Sequence, residues 1–111
     1  MRIGTQGIAQ IKSDEAVYRL RDAIIVSAAN DYRNLCRRMH KNVRTIIEGC
    51  GQKKADKLFD DLTNLNNSMR RMEVRFFESD WYTALTEVDG RYITKRIRKE
   101  VKHEEEVEEE S

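Results

Sequence analysis

Residues 17–46, VYRLRDAIIVSAANDYRNLCRRMHKNVRTI, decide the fold. Placed at 100° per residue, Val17, Leu20, Ile24, Ala28, Tyr32, Leu35, Met39, Val43 and Ile46 fall within one arc about 140° wide, as a core-facing helix requires. The phase never slips, so the pattern predicts one helix from about Asp14 to Glu48, on the order of 50 Å long at 1.5 Å per residue. Ser13 is placed to cap it, and Asp14 and Glu15 put negative charge where the helix dipole favours it. Gly49 and Gly51 supply the stop.

A second stripe follows. Ala55, Leu58, Phe59, Leu62, Leu65, Met69, Met72, Phe76 and Phe77 share another arc of about 140°, which predicts a helix from about Lys53 to Glu78. Two long amphipathic helices joined by so short a link favour an antiparallel hairpin. Cover for the hairpin is expected from the C-terminal part. Ser79 can cap a short helix over Asp80 to Glu87. Asp89 can cap the next, Gly90 to about His103, in which Ile93, Ile97 and Val101 recur every four residues. Residues 1–12 carry two glycines and no period, and read as a flexible arm. Residues 104–111, EEEVEEES, read as a disordered acidic tail, because they repel one another and offer almost nothing to bury. The expected fold is therefore all-α: a long helical hairpin packed by one or two short C-terminal helices, in a single domain over residues 13–103. The first helix is expected to overhang the core, and apolar surface on an overhang favours a homodimer.

Composition narrows the function. The chain has 111 residues, no proline and 5 glycines, too few turn formers for an all-β fold. Mean hydropathy is −0.79. No apolar run reaches the length of a membrane span, and residues 1–12 lack the apolar centre of a signal peptide, so the reading is a soluble, intracellular protein. Cys36 and Cys50, the only two cysteines, fit free thiols in a reducing compartment. Cys36 and His40 stand four apart, but no second close ligand pair accompanies them, so no metal site and no cofactor are expected. No phosphate-binding glycine loop, HExxH, GxSxG or triad pattern occurs, and no catalytic residue is assigned. Asp80, Glu87 and Asp89 resemble an acid–base set, but Asp89 is better explained as a cap.

The net charge of +1 conceals an asymmetry: six glutamates lie between Glu104 and Glu110, and the first 103 residues carry +7. Arg33, Arg37, Lys41 and Arg44 share one face of the first helix, opposite its apolar arc. Lys95, Arg96, Arg98, Lys99 and Lys102 crowd eight positions of the last. The plain reading of either stripe is a solvated face; together they point to phosphate backbones. The acidic tail could shield such a face in cis or imitate a nucleic-acid backbone toward a basic partner. The segment 76–93, FFESDWYTALTEVDGRYI, holds five of the eight aromatic residues. Phe76 and Phe77 continue the second stripe, and Trp81 repeats with Leu85, so a core clamp is the plain reading. Trp81, Tyr82 and Tyr92 are the candidates for a partner-binding surface. Arg21, Asp31 and Glu73 interrupt the apolar arcs and are expected to pair across the bundle or reach its rim.

Two blocks carry a resemblance. AIIVSAANDYRNL, residues 23–35, is similar to the pattern AxxxQAxxDYRxAL, and FFESDWYTALTEVDGRYITKRIRKEV, residues 76–101, resembles FFxSxWFxxLTxVDGEYLIxKLREE. Both patterns occur, in this order, in small uncharacterised proteins of prophages and mobile elements of low-GC Gram-positive bacteria. The resemblance implies that genomic setting and the cytoplasm of a bacterial host; the family brings no established activity with it. Residues 34–75 form a longer spacer than the family's, and Arg91 stands where the pattern is acidic. The expectation is a non-catalytic phage or mobile-element accessory protein that binds nucleic acid, or a nucleic-acid-handling protein, through its basic faces. The alternative is an inhibitor of a host defence nuclease that acts through the acidic tail or the aromatic block.

Overall fold

Gly49 and Gly51, both with positive φ (95° and 84°), reverse the chain between two long helices. A side chain at either position would be strained in that left-handed backbone. The computed structural model describes the backbone of residues 2–110 and the side chains of residues 15–107. Helix α1 (Arg2–Glu48) is followed by α2 (Gln52–Met72), a single π-helical turn (Glu73–Phe77), α3 (Asp80–Leu85) and α4 (Gly90–Glu110). No strand occurs among the described residues. The arm expected over residues 1–12, the Ser13 cap and the end of the tail, residues 108–111, lie outside the described side chains.

The hairpin packs α2 antiparallel to α1. Helix α4 then returns parallel to α1, as the pairs Arg33–Glu100 and Arg37–Glu104 fix its direction. The core between the three consists of Tyr32, Cys36, Met69, Phe77, Tyr82, Ile97 and Val101. These come from the predicted stripes, except Cys36 and Tyr82. Toward its N-terminus α1 outruns its neighbours, and Val17 and Leu20 are each 61% exposed. The apolar arc is continuous in sequence, but only its middle finds cover.

Helix α2 was expected to run evenly to Glu78. Instead, the amide of Glu78 donates to the Glu73 carbonyl at 2.8 Å, an i→i+5 bond that widens the last turn. The widened turn accommodates two successive phenylalanines on the inner side, Phe77 buried and Phe76 half-buried, with their rings edge to face at 4.9 Å. Ser79 then caps α3, its Oγ accepting from the Tyr82 amide at 3.1 Å and donating to the Phe76 carbonyl at 2.6 Å. Asp89 caps α4, its carboxylate accepting from the Arg91 amide at 2.9 Å. Gly90 opens α4 directly against the π turn. A Cβ there would lie 1.8 Å from the Phe77 carbonyl oxygen, so only glycine fits.

The acidic tail differs from expectation. Helix α4 does not end near His103; it continues through Glu104, Glu105 and Glu106 to Glu110. Mutual repulsion was expected to unfold this segment. Arg37 and Arg44 of α1 offset it by pairing with Glu104 and Glu105.

Candidate nucleic-acid interface

The parallel packing of α4 on α1 divides the predicted basic residues into two sets. Arg33, Arg37 and Arg44 stand on the edge of α1 that faces α4. Arg33 meets Glu100 at 3.2 Å and donates to Asn30 at 2.7 Å. Arg37 grips Glu104 with two parallel hydrogen bonds, of 2.8 and 3.0 Å. Its guanidinium holds the Glu104 carboxyl below its usual range, chiefly through those hydrogen bonds. Arg44 pairs with Glu105. On α4 itself, Arg98 turns toward the core. It donates to the Tyr32 hydroxyl at 2.8 Å and meets Glu73 at 3.3 Å. These four arginines are engaged within the fold. Sequence reasoning placed three of them on a free outward face because a helical wheel does not say which edge a later helix will cover.

The second set faces solvent. Gly90, Thr94, Ile97 and Val101 are the buried side of α4. Opposite them stand Tyr92, Lys95, Arg96, Lys99 and Lys102, all exposed. Lys95, Lys99 and Lys102 follow i, i+4, i+7 spacing, and none of them forms an ion pair among the described residues. Arg96 lies 3.8 Å from Glu100 and 3.5 Å from the Tyr92 hydroxyl. Tyr92 keeps 57% of its surface exposed beside this row. A shallow groove of about 420 Å³ runs between Tyr92, Lys95, Arg96, Arg98 and Lys99. Lys41 on α1 is likewise exposed and without an ion pair among the described residues.

The aromatic candidates also separate. Trp81 is 53% exposed and rests edge-on against Phe76 at 5.6 Å. Tyr82 is only 1% exposed, so it is not part of any partner-binding surface. Helix α3 starts at the Ser79 cap in a register that turns Tyr82 inward onto Phe76 and Phe77, at 5.4 and 5.8 Å, and Trp81 outward. The core clamp in this segment is thus formed by Tyr82, where the sequence pattern favoured Trp81 with Leu85. Of the three charges on the apolar arcs, Glu73 pairs across the bundle with Arg98. Arg21 meets its neighbour Asp22 at 3.2 Å, and Asp31 is exposed at the rim.

A second basic cluster lies at the end of α2 and in the π turn. Arg70, Arg71 and Arg75 are exposed around a depression of about 460 Å³ that also touches Asn67 and Val74. The i, i+4 spacing of Arg71 and Arg75 was its signal.

Among the described residues no three His, Cys, Asp or Glu side chains are grouped to hold a metal ion. Burial pushes the Cys36 thiol up to about 11, which makes it a poor nucleophile and a poor metal ligand. No helix among the described residues is long and apolar enough to cross a membrane. No protein-family model matches the chain, and no curated protein or solved structure matches it.

Proposed function

We propose that this chain is a non-catalytic accessory protein that binds nucleic acid, with the outer face of α4 as its contact surface. One observation carries the reading: Lys95, Lys99 and Lys102 stand in a row without carboxylate partners among the described residues, next to an exposed tyrosine. Ammonium groups so placed release counterions from a phosphate backbone, and the Tyr92 ring offers a stacking surface to an unpaired base. Such contacts read charge and shape, not base sequence. The resemblance of residues 23–35 and 76–101 to prophage and mobile-element proteins supports a phage setting. The alternative, an inhibitor acting through its acidic segment, draws less support, since Glu104 and Glu105 already face Arg37 and Arg44.

Anisotropy of labelled single- and double-stranded DNA and RNA, measured over a salt series, tests the proposal. Binding should weaken steeply with salt. The triple variant Lys95→Gln, Lys99→Gln, Lys102→Gln should lower the slope of log K against log salt by about 2 to 3. No binding at low salt, or an unchanged slope in the triple variant, overturns it. Removing residues 104–111 should bare Arg37 and Arg44 and strengthen binding. If the acidic segment were instead the working surface, the same deletion would abolish activity toward a target nuclease.

A further inference from the structure

The side of α1 turned away from α4 carries an uncovered apolar stripe. Val17 and Leu20 lead from the overhang into a groove of about 480 Å³ where α1 meets the π turn and α3. Ile24, Ala28, Met72, Phe76 and Trp81 line that groove. It is apolar apart from Ser27 and Asp31, and Asp31 forms no ion pair among the described residues. Ten residues earlier, on the same side of α1, Arg21 has, among the described residues, only its sequence neighbour Asp22 for a carboxylate and lies over the Tyr18 ring at 4.9 Å. An apolar stripe of this kind, interrupted by one cation and one anion, resembles an interface more than a solvated face.

We propose that this stripe and groove bind the same stripe and groove of a second copy of the chain, α1 against α1, antiparallel about a two-fold axis level with residue 26. The charge pattern selects this occupant. Residue 26 is midway between Arg21 and Asp31, which stand about 15 Å apart along the helix. A two-fold at that level brings Arg21 of each copy to Asp31 of the other, so one arrangement satisfies both charges twice. The same register sets Ile24 against Ala28 of the second copy and carries each Leu20 toward the other's Met72. Ala28, a small residue next to the axis, allows the two helices to approach closely. Trp81, exposed in the monomer, becomes an aromatic anchor at the edge of the contact. Helix α4 packs on another side of α1, so its basic face remains open; the proposal is independent of the nucleic-acid reading.

Sedimentation equilibrium on the full chain, with helicity checked by circular dichroism, tests the arrangement. The native chain should be a dimer at micromolar concentration. Arg21→Glu and Asp31→Lys should each weaken association at least about tenfold, because each places two like-charge contacts in the interface. The double variant Arg21→Glu, Asp31→Lys should restore it, since the swap regenerates both pairs. Leu20→Ser, which leaves the charges alone, should also shift the equilibrium toward monomer. A native chain that stays monomeric at 100 µM overturns the proposal and leaves the groove to a different protein. So does a double variant no tighter than the two single ones.

Discussion

The Nε of Arg98 donates to the hydroxyl of Tyr32 at 2.8 Å, so that the most deeply buried ring of α1 is tied to the basic helix α4. Glu73, from the π turn, completes the group on the other side of the guanidinium. Three elements thus meet at one charged residue. Arg98 works as a structural clasp, although its sequence neighbours Lys95, Lys99 and Lys102 face solvent.

Tyr32→Phe removes one hydrogen bond and leaves Arg98 with Glu73. A loss of about 1 kcal/mol is expected in urea unfolding at neutral pH. The alkaline side has a further signature. Burial raises the Tyr32 hydroxyl from 10.0 to about 12, so its contribution to stability is complete below pH 10 and is lost as pH rises toward 12. Tyr32→Phe should flatten that alkaline decline. Part of it should remain, because burial also raises Tyr82. An unaltered decline in the variant would exclude Tyr32 as its source.

Gly90→Ala should be the most damaging glycine substitution among Gly49, Gly51 and Gly90. The added methyl would meet backbone at the Phe77 carbonyl, which cannot rotate away as a flexible side chain could. A cost of about 3 kcal/mol is expected, with a large drop in melting temperature. Gly49→Ala meets no atom and is strained only by its positive φ, so it should cost less. Thermal melts of the two variants rank them directly.

Acid should loosen the far end of α4. Arg37 lowers the Glu104 carboxyl from its ordinary 4.5, so the stability of this pair is present above pH 4.5 and is lost as pH falls through the lowered value. Amide hydrogen exchange across 100–107 should accelerate in that window while 93–98 stays protected. In Glu104→Gln the exchange should already be faster at neutral pH and respond less to acid.

The two thiols should react at very different rates. Cys36 is buried in the core and its thiol is pushed up to about 11 by that burial, whereas Cys50 is half-buried between Gly49 and Gly51 at the hairpin turn. Titration with a disulfide reagent at pH 8 should give one fast thiol in the native chain and two after denaturation. Cys50→Ser should remove the fast phase alone.

Much of the architecture is written in local pattern. The period of the apolar residues from Val17 to Ile46 and from Ala55 to Phe77 defines two rods, Gly49 and Gly51 the reversal, and Ser79 and Asp89 the starts of the last two helices. Each of these depends on the intrinsic geometry of a few neighbouring residues, and so survives without knowledge of the rest. The proposed site was legible only in part. Its residue types were in view, but the side of α4 on which each would lie depended on the core that α4 joined.

Sequence alone therefore determined that the molecule is helical, where its long helices turn, and that its body is basic ahead of an acidic end. Tertiary structure decided which charges are free. Arg33, Arg37 and Arg44 share a helix edge with nothing in sequence to occupy them, yet the parallel return of α4 delivers Glu100, Glu104 and Glu105 to that edge from some 60 residues away. It also turned Tyr82 inward, Trp81 outward and Gly90 onto the Phe77 carbonyl. Helix propensity and periodicity act over a turn or two, whereas ion pairing and burial act between segments whose neighbourhood exists only once the chain has packed.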